Sequence, residues 1–168
     1  VFSDKSVVVL ENTKVLPRAF IVYDEEVVPG TAALDRILSP DFPLDKKIVL
    51  GADNVLLNTD GTGQAKYIEY FENRSTILTN SSIDGSLFIS DTYYPGWHAF
   101  VDGTRTEIKK ANFAFRAIKI PAGEHKVEFI YKPDSFFSGL KIALTSFIVL
   151  IIFSILVGKQ LDKIYTNL

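Results

Sequence analysis

For roughly the first 130 positions the chain alternates apolar and polar residues in short runs of period two. Val7–Leu10, Ala19–Tyr23, Ile48–Leu50, Ala65–Phe71, Ser75–Thr79, Ser86–Ser90, His98–Val101, Thr106–Lys109, Phe115–Ile120 and Lys126–Tyr131 are each bounded by Gly, Pro, Asn or Asp signals. Successive side chains of a strand point to opposite faces, so this pattern predicts half-buried strands. From Ser75 onward the runs recur at a spacing close to ten residues, the pattern of an antiparallel sandwich or jelly roll. Asp84-Gly85 and Asp102-Gly103 read as two-residue hairpin turns, since both positions tolerate positive φ. Pro121-Ala122-Gly123 reads as a third tight turn. One helix is expected over Thr31–Leu38, with Thr31 as its cap and Leu34, Ile37 and Leu38 on one face. Asp53–Gly63 reads as a loop, with Val55–Leu57 a candidate edge strand.

The period of two stops at Phe136. Phe136–Val157 reads FFSGLKIALTSFIVLIIFSILV, and Ile142–Val157 carries no charge. About 20 residues of helix span a hydrocarbon core of roughly 30 Å. The segment reaches that length once Phe136, Phe137, Leu140 and a snorkelling Lys141 are included. A helix apolar on every side, at the end of a β-rich chain this short, has no protein core large enough to surround it. The expected organisation is a β domain over 1–134, a transmembrane helix over 135–158 and a short tail over 159–168. Lys132 and Lys141 before the span offset Lys159 and Lys163 after it, so loop charge sets the orientation only weakly. The β domain is expected outside the cell and the C-terminus in the cytoplasm, because a folded β domain is more readily explained there. Gly139, Ser146 and Ser154 are small enough to let another membrane helix approach.

Composition narrows the chemistry. Eighteen basic and 20 acidic residues give a formal charge of −2, with no basic field for nucleic acid. The absence of cysteine removes disulfides, thiolate metal sites and cysteine nucleophiles. The absence of methionine leads to the expectation that Val1 is a processed end or an internal point of a longer polypeptide. His98 and His125 alone do not make a metal site. Asp53, Asp60 and Asp84 lack a calcium-loop pattern. No nucleophile elbow is present. The chain is therefore expected to carry no catalytic residue, no metal and no cofactor.

Leu87–Tyr131 holds the densest information. Tyr93, Tyr94 and Trp97 crowd one turn, whose backbone is set by Pro95-Gly96. They suit a sugar-stacking platform, and equally suit the closure of one end of a sandwich. Asp102, Asn112 and Arg116, with Asp91 and Arg18, suit contacts to sugar hydroxyls or a lipid phosphate. They also have structural readings: Asp102 and Asn112 as turn or bulge residues, Arg116 as a partner for an acidic group on a sheet face.

The segments Tyr93-Tyr94-Pro95-Gly96-Trp97, Ala99, Val101-Asp102-Gly103, Ala111-Asn112, Phe115-Arg116-Ala117, Pro121-Ala122-Gly123, His125, Val127, Phe129 and Tyr131 occur in an order that resembles the YfhO-like bacterial multispanning membrane proteins. Glu11-Asn12 and Leu16-Pro17-Arg18-Ala19-Phe20 resemble the opening strands of the same domain. The resemblance implies the C-terminal extracytoplasmic domain and last membrane helix of a lipid-linked-sugar glycosyltransferase. Its catalytic carboxylate would lie in an early loop of the membrane body, outside these residues. The implied partners are upstream transmembrane helices of the same parent chain, the lipid bilayer, and a cell-envelope glycan or polyprenyl-phosphate sugar. A membrane-anchored carbohydrate-binding or adhesion module without catalytic function is the alternative.

Overall fold

The computed structural model describes residues 2–3, 7–51 and 60–165. Val55–Leu57 and Asp53 therefore lie outside the described residues. Contacts divide the chain into two compact units, Val1–Tyr131 and Lys132–Leu168.

The first unit is almost entirely β. Its strands are β1 (Phe2–Ser3), β2 (Val8–Val9), β3 (Ala19–Val22), β4 (Asp24–Val27), β5 (Lys47–Leu50), β6 (Gly63–Tyr70) and β7 (Arg74–Ser81). They continue as β8 (Gly85–Thr92), β9 (Trp97–Val101), β10 (Thr104–Thr106), β11 (Lys109–Ala111), β12 (Phe115–Ile120) and β13 (Gly123–Tyr131). One short helix, α1 (Ala32–Ile37), lies between β4 and β5. Strands β1 and β2 form a separate two-stranded ribbon; the others form a five-stranded sheet ordered β10-β9-β13-β7-β6 and a six-stranded sheet ordered β3-β8-β12-β11-β5-β4. All pairings are antiparallel except β4 with β5.

The two sheets pack face to face. Ile21 and Leu87, Ile89 and Ile118 come from the six-stranded sheet, Ile77, Val127 and Phe129 from the five-stranded sheet, and all belong to one buried core. They occupy alternate positions of their strands, as the sequence pattern predicts. The six-stranded sheet also curls. Its edges, β3 and β4, are joined through Tyr23 alone, whereas a flat sheet of six strands would hold its edges roughly 24 Å apart. Val22, Ile48, Leu50, Phe88, Ala111 and Ala117 form a second core cluster on the opposite face of this sheet.

Several local expectations change. Asp102 and Gly103 both have positive φ, 49° and 80°, and join the paired strands β9 and β10 as the sequence predicts. Asp84-Gly85 and the Pro121 turn do not close hairpins. Strands β7 and β13 lie in one sheet and β8 and β12 in the other, so both turns carry the chain between sheets. The run Thr106–Lys109 is not one strand. The chain changes sheet there, ending β10 at Thr106 and starting β11 at Lys109. Alternation marks extended backbone and does not say which sheet receives it. Strand β4, with sequence DEEV, escapes the apolar pattern because its buried residue is Glu25. That carboxylate accepts from Ser86 Oγ and pairs with Lys119 Nζ, which makes the burial tolerable. Thr31 starts α1 without a side-chain cap bond.

One end of the main core is closed by Tyr23, whose hydroxyl lies 2.8 Å from Ser81 Oγ. Gly63 and Gly85 make room for it: a Cβ there would come to 2.4 and 2.9 Å of Tyr23 atoms.

The second unit is α2 (Asp134–Tyr165). Its segment Asp134–Lys159, 26 residues, is long and apolar enough to cross a membrane, about 39 Å at 1.5 Å per residue. Phe147, Leu150 and Phe153 are exposed on it, and Thr145 Oγ1 donates to the Lys141 carbonyl at 2.8 Å. That back-bond satisfies a hydroxyl that lipid could not.

Candidate functional site

At the end of the sandwich opposite Tyr23, the inner faces of both sheets change from aliphatic to aromatic and charged. The pleat explains how. Arg116 precedes Ile118 and Ile120 by two and four positions, so it shares their inward face. Asp91 continues the inward series Leu87, Ile89, and Trp97 pairs with Tyr131 beside the inward pair Ala99 and Phe129. On β6 the register shifts between Tyr67 and Glu69, so Tyr67 pairs with Ile77 and Tyr70 with Ser75. Without that bulge, two residues three apart would face opposite ways; with it, both tyrosines point inward.

Tyr67, its hydroxyl buried, lies close enough to Asp91 and Arg116 to feel their charges. Arg116, Asp91, Trp97, Tyr131 and Tyr70 line a cleft of about 600 Å³, within the range of small-ligand sites. Its floor is a buried ion pair: Arg116, 3 % exposed, donates through Nη2 to Asp91 Oδ2 at 2.7 Å. The Trp97 ring covers the guanidinium, with Arg116 Cζ 4.3 Å from the ring centroid, and Phe129 lies on it at 5.3 Å. Tyr131 packs on Trp97 with centroids 5.3 Å apart, and Tyr94 follows at 6.4 Å from Tyr131. Tyr70 donates its hydroxyl to Asp91 Oδ1 at 3.3 Å. Arg18 lies over the Tyr70 ring at 4.8 Å and reaches 3.8 Å from Asp91, with its side chain half exposed. Glu72 lines the outer rim.

Burial dominates the electrostatics. Desolvation lowers the Arg116 pKa from its ordinary value, and Asp91 opposes that shift. Desolvation also pushes the Tyr67 phenol up, and the neighbouring Asp91 charge adds to it. Tyr67 Oη and Arg116 Nε and Nη1 are the buried side-chain polar atoms that lack a protein partner among the described residues.

The structure thus brings together Tyr94, Trp97 and Arg116 of the sequence candidates, with Arg18 and Asp91. Tyr93 turns to the other side of the 93–97 loop. There it lines a neighbouring cleft of about 530 Å³, where Arg105 Nη2 lies 2.9 Å from His98 Nδ1. Asp102 and Asn112 lie elsewhere, and their bonds are local to the fold. Asp102 accepts from the Lys126 N–H at 2.8 Å and lies 2.6 Å from His125 Nδ1. The pair raises the His125 pKa, through Asp102 first and the Ala122 carbonyl second, and lowers that of Asp102. Asn112, buried at φ 44°, accepts the Val49 N–H at 2.7 Å and so ties β5 to the turn after β11. Tyr67 and Tyr70 are not among the site candidates read from the sequence; their signal is the AKYIEYF run, where the bulge hides their common face, and Tyr131 enters only as one of the resembling positions. No group of three His, Cys, Asp or Glu side chains suited to a metal occurs among the described residues.

Comparison with known proteins follows the same segment. Residues 59–143 match the model of a family described as "Bacterial membrane protein YfhO", about half of the chain, running from before β6 into α2. Over 92 residues the chain is 27% identical to the "Uncharacterized protein YfhO" of Bacillus subtilis (strain 168), covering 55% of this chain and 11% of that protein. The chain therefore spans a small part of that relative's length. No solved structure matches it. Every cleft residue named above except Arg18 falls inside the family match.

Proposed function

Since the chain belongs to the YfhO family of bacterial membrane proteins, we propose that it serves as an extracytoplasmic accessory domain, held by its own membrane helix, of a longer membrane-embedded glycosyltransferase acting on cell-envelope polymers. The catalytic groups belong to other parts of that longer protein. The β domain contacts glycan or lipid-linked sugar, and α2 packs among the parent's other membrane helices. The observation that carries this reading is the aromatic cleft. Trp97, Tyr94 and Tyr131 present rings around a buried Arg–Asp pair, a combination suited to the apolar faces and hydroxyls of a pyranose. Tyr131 stands three positions before the first residue of α2, so the cleft and the membrane helix are neighbours in the chain. The match to only 11% of the Bacillus relative supports a domain that works within a longer protein.

Two measurements test the reading. The chain contains no cysteine, so single substitutions report topology cleanly. Thr104→Cys, exposed at the start of β10, reacts in intact cells with a membrane-impermeant maleimide, and Lys159→Cys, at the far end of the span, reacts only after permeabilisation. The reverse labelling pattern overturns the extracytoplasmic placement. Trp97 is the sole tryptophan. Its emission therefore reports the aromatic end of the sandwich, and a saturable change with a neutral oligosaccharide that Arg116→Lys weakens supports glycan contact in the Arg116 cleft. A flat titration with glycans and with sugar phosphates removes it.

A further inference from the structure

The orphaned buried atoms are not scattered. Tyr67 Oη, Arg116 Nε and Arg116 Nη1 reach one region from the two facing sheets, and each of the two residues perturbs the titration of the other. All three are donors. A buried donor without an acceptor costs the full desolvation penalty of the group, more when it is charged. Asp91 takes only one of the guanidinium nitrogens. Arg18, the second cation, sits at the mouth with its side chain half exposed and lies beyond hydrogen-bond distance of Asp91. Arg18 and Arg116 are matched in charge by Asp91 on the floor and Glu72 on the rim, so what the cleft holds in excess is buried donors rather than net charge. Trp97 and Phe129 cover the faces of the guanidinium and leave its edge as the direction for an acceptor.

We infer that this end of the sandwich is a phosphate-ester site, in which Arg116 Nε and Nη1 and Tyr67 Oη receive phosphate oxygens, Arg18 closes over them from the mouth, and Trp97 and Tyr131 flank the esterified group. A phosphate supplies several acceptor oxygens to these donors, which one neutral hydroxyl does not, and forked guanidinium donors suit it. The inference rests on the glycan-contacting reading of the same cleft and adds the chemical class of the ligand's polar end. A sugar phosphate and a phospholipid headgroup share that chemistry.

The test uses the full chain in polyoxyethylene-detergent micelles, which carry neither sugar nor phosphate, with Trp97 emission as readout. Glucose 1-phosphate is expected to give a saturable change at a midpoint at least about tenfold below that of glucose, since donor bonds to a charged group are worth about that much. Tyr67→Phe keeps the ring, removes one donor and raises the glucose 1-phosphate midpoint by about tenfold, with no loss in thermal midpoint because its hydroxyl has no protein partner. In a second arm, the chain moves to nanodiscs of phosphatidylcholine with or without phosphatidylglycerol. Weakened glucose 1-phosphate binding there supports a lipid phosphate as the occupant, and unchanged binding supports a soluble phosphate ester. Equal midpoints for glucose and glucose 1-phosphate, or a Tyr67→Phe protein that binds as the parent does, overturn the phosphate site and leave the glycan reading standing. No response to either ligand removes both.

Discussion

The two ends of the sandwich carry nearly the same contact and use it differently. At one end Asp91 meets Arg116 at 2.7 Å; toward the other Asp102 meets His125 at 2.6 Å. The second pair is exposed and complete. Asp102 also accepts the Lys126 N–H, His125 Nε2 lies 3.1 Å from the Ala122 carbonyl, and Tyr23 seals the nearby core with a bonded hydroxyl. The first pair is buried and incomplete, with unpartnered donors on Arg116 and Tyr67. Distance does not separate a fold contact from a site here. Burial and unsatisfied bonding capacity do.

The largest effect that can break this comparison comes from the paired aspartates. Asp91→Ala leaves Arg116 buried without its counter-charge and is expected to cost about 3–5 kcal/mol in denaturant unfolding. Asp102→Asn, which keeps a residue tolerant of positive φ, should barely move the midpoint, because solvent replaces the exposed charge contact it loses. Equal costs would show that the ends are energetically alike.

The buried tyrosines sharpen the contrast further. Tyr23→Phe removes a hydroxyl bonded to Ser81 and should cost about 1 kcal/mol. Tyr67→Phe removes a hydroxyl with no protein partner and should cost nothing in the free protein, which calorimetry of the two variants can compare. A comparable loss for both would mean that Tyr67 is a fold contact too.

The smallest effect is the pH response of the exposed pair. The His125 pKa is raised above 6.5, so its contribution is complete below 6.5 and is lost as pH rises through the folded-state value. The Asp102 pKa is lowered below 3.8, so its contribution is present above 3.8 and is lost as pH falls through the folded-state value. The pair therefore favours folding most between those limits. Asp102→Asn, which keeps a residue tolerant of positive φ, should bring the His125 titration down toward 6.5 in an NMR pH series. An unmoved titration would show that the Ala122 carbonyl alone sets it.

Much of the fold was legible because the inward residues of the long strands are apolar and alternate, as in Ile118–Ile120 and Val127–Phe129. The membrane helix was legible because nothing interrupts Ile142–Val157. Three things were hidden for physical reasons. Glu25 occupies a buried position where the pattern asks for an apolar residue, made possible by Ser86 and Lys119, which lie far along the chain. Turn chemistry at Asp84 and Pro121 signals a reversal but not which sheet receives the next strand. The bulge after Tyr67 moves Tyr70 to the inward face, so the β6 side of the cleft cannot be read from alternation. The aromatic turn itself was visible in Tyr93–Trp97. That Tyr94 and Trp97 stand between two clefts while Tyr93 lines only the one away from Arg116 required the backbone.

The most direct test of the account follows the arginine and tryptophan side-chain N–H signals of the full chain in micelles by NMR while glucose 1-phosphate is added. Saturable shifts of the Arg116 Nε–H and Trp97 indole N–H are expected, with the His125 ring signals at the other end unmoved. Still signals at Arg116 and Trp97, or equal movement at both ends, would contradict it.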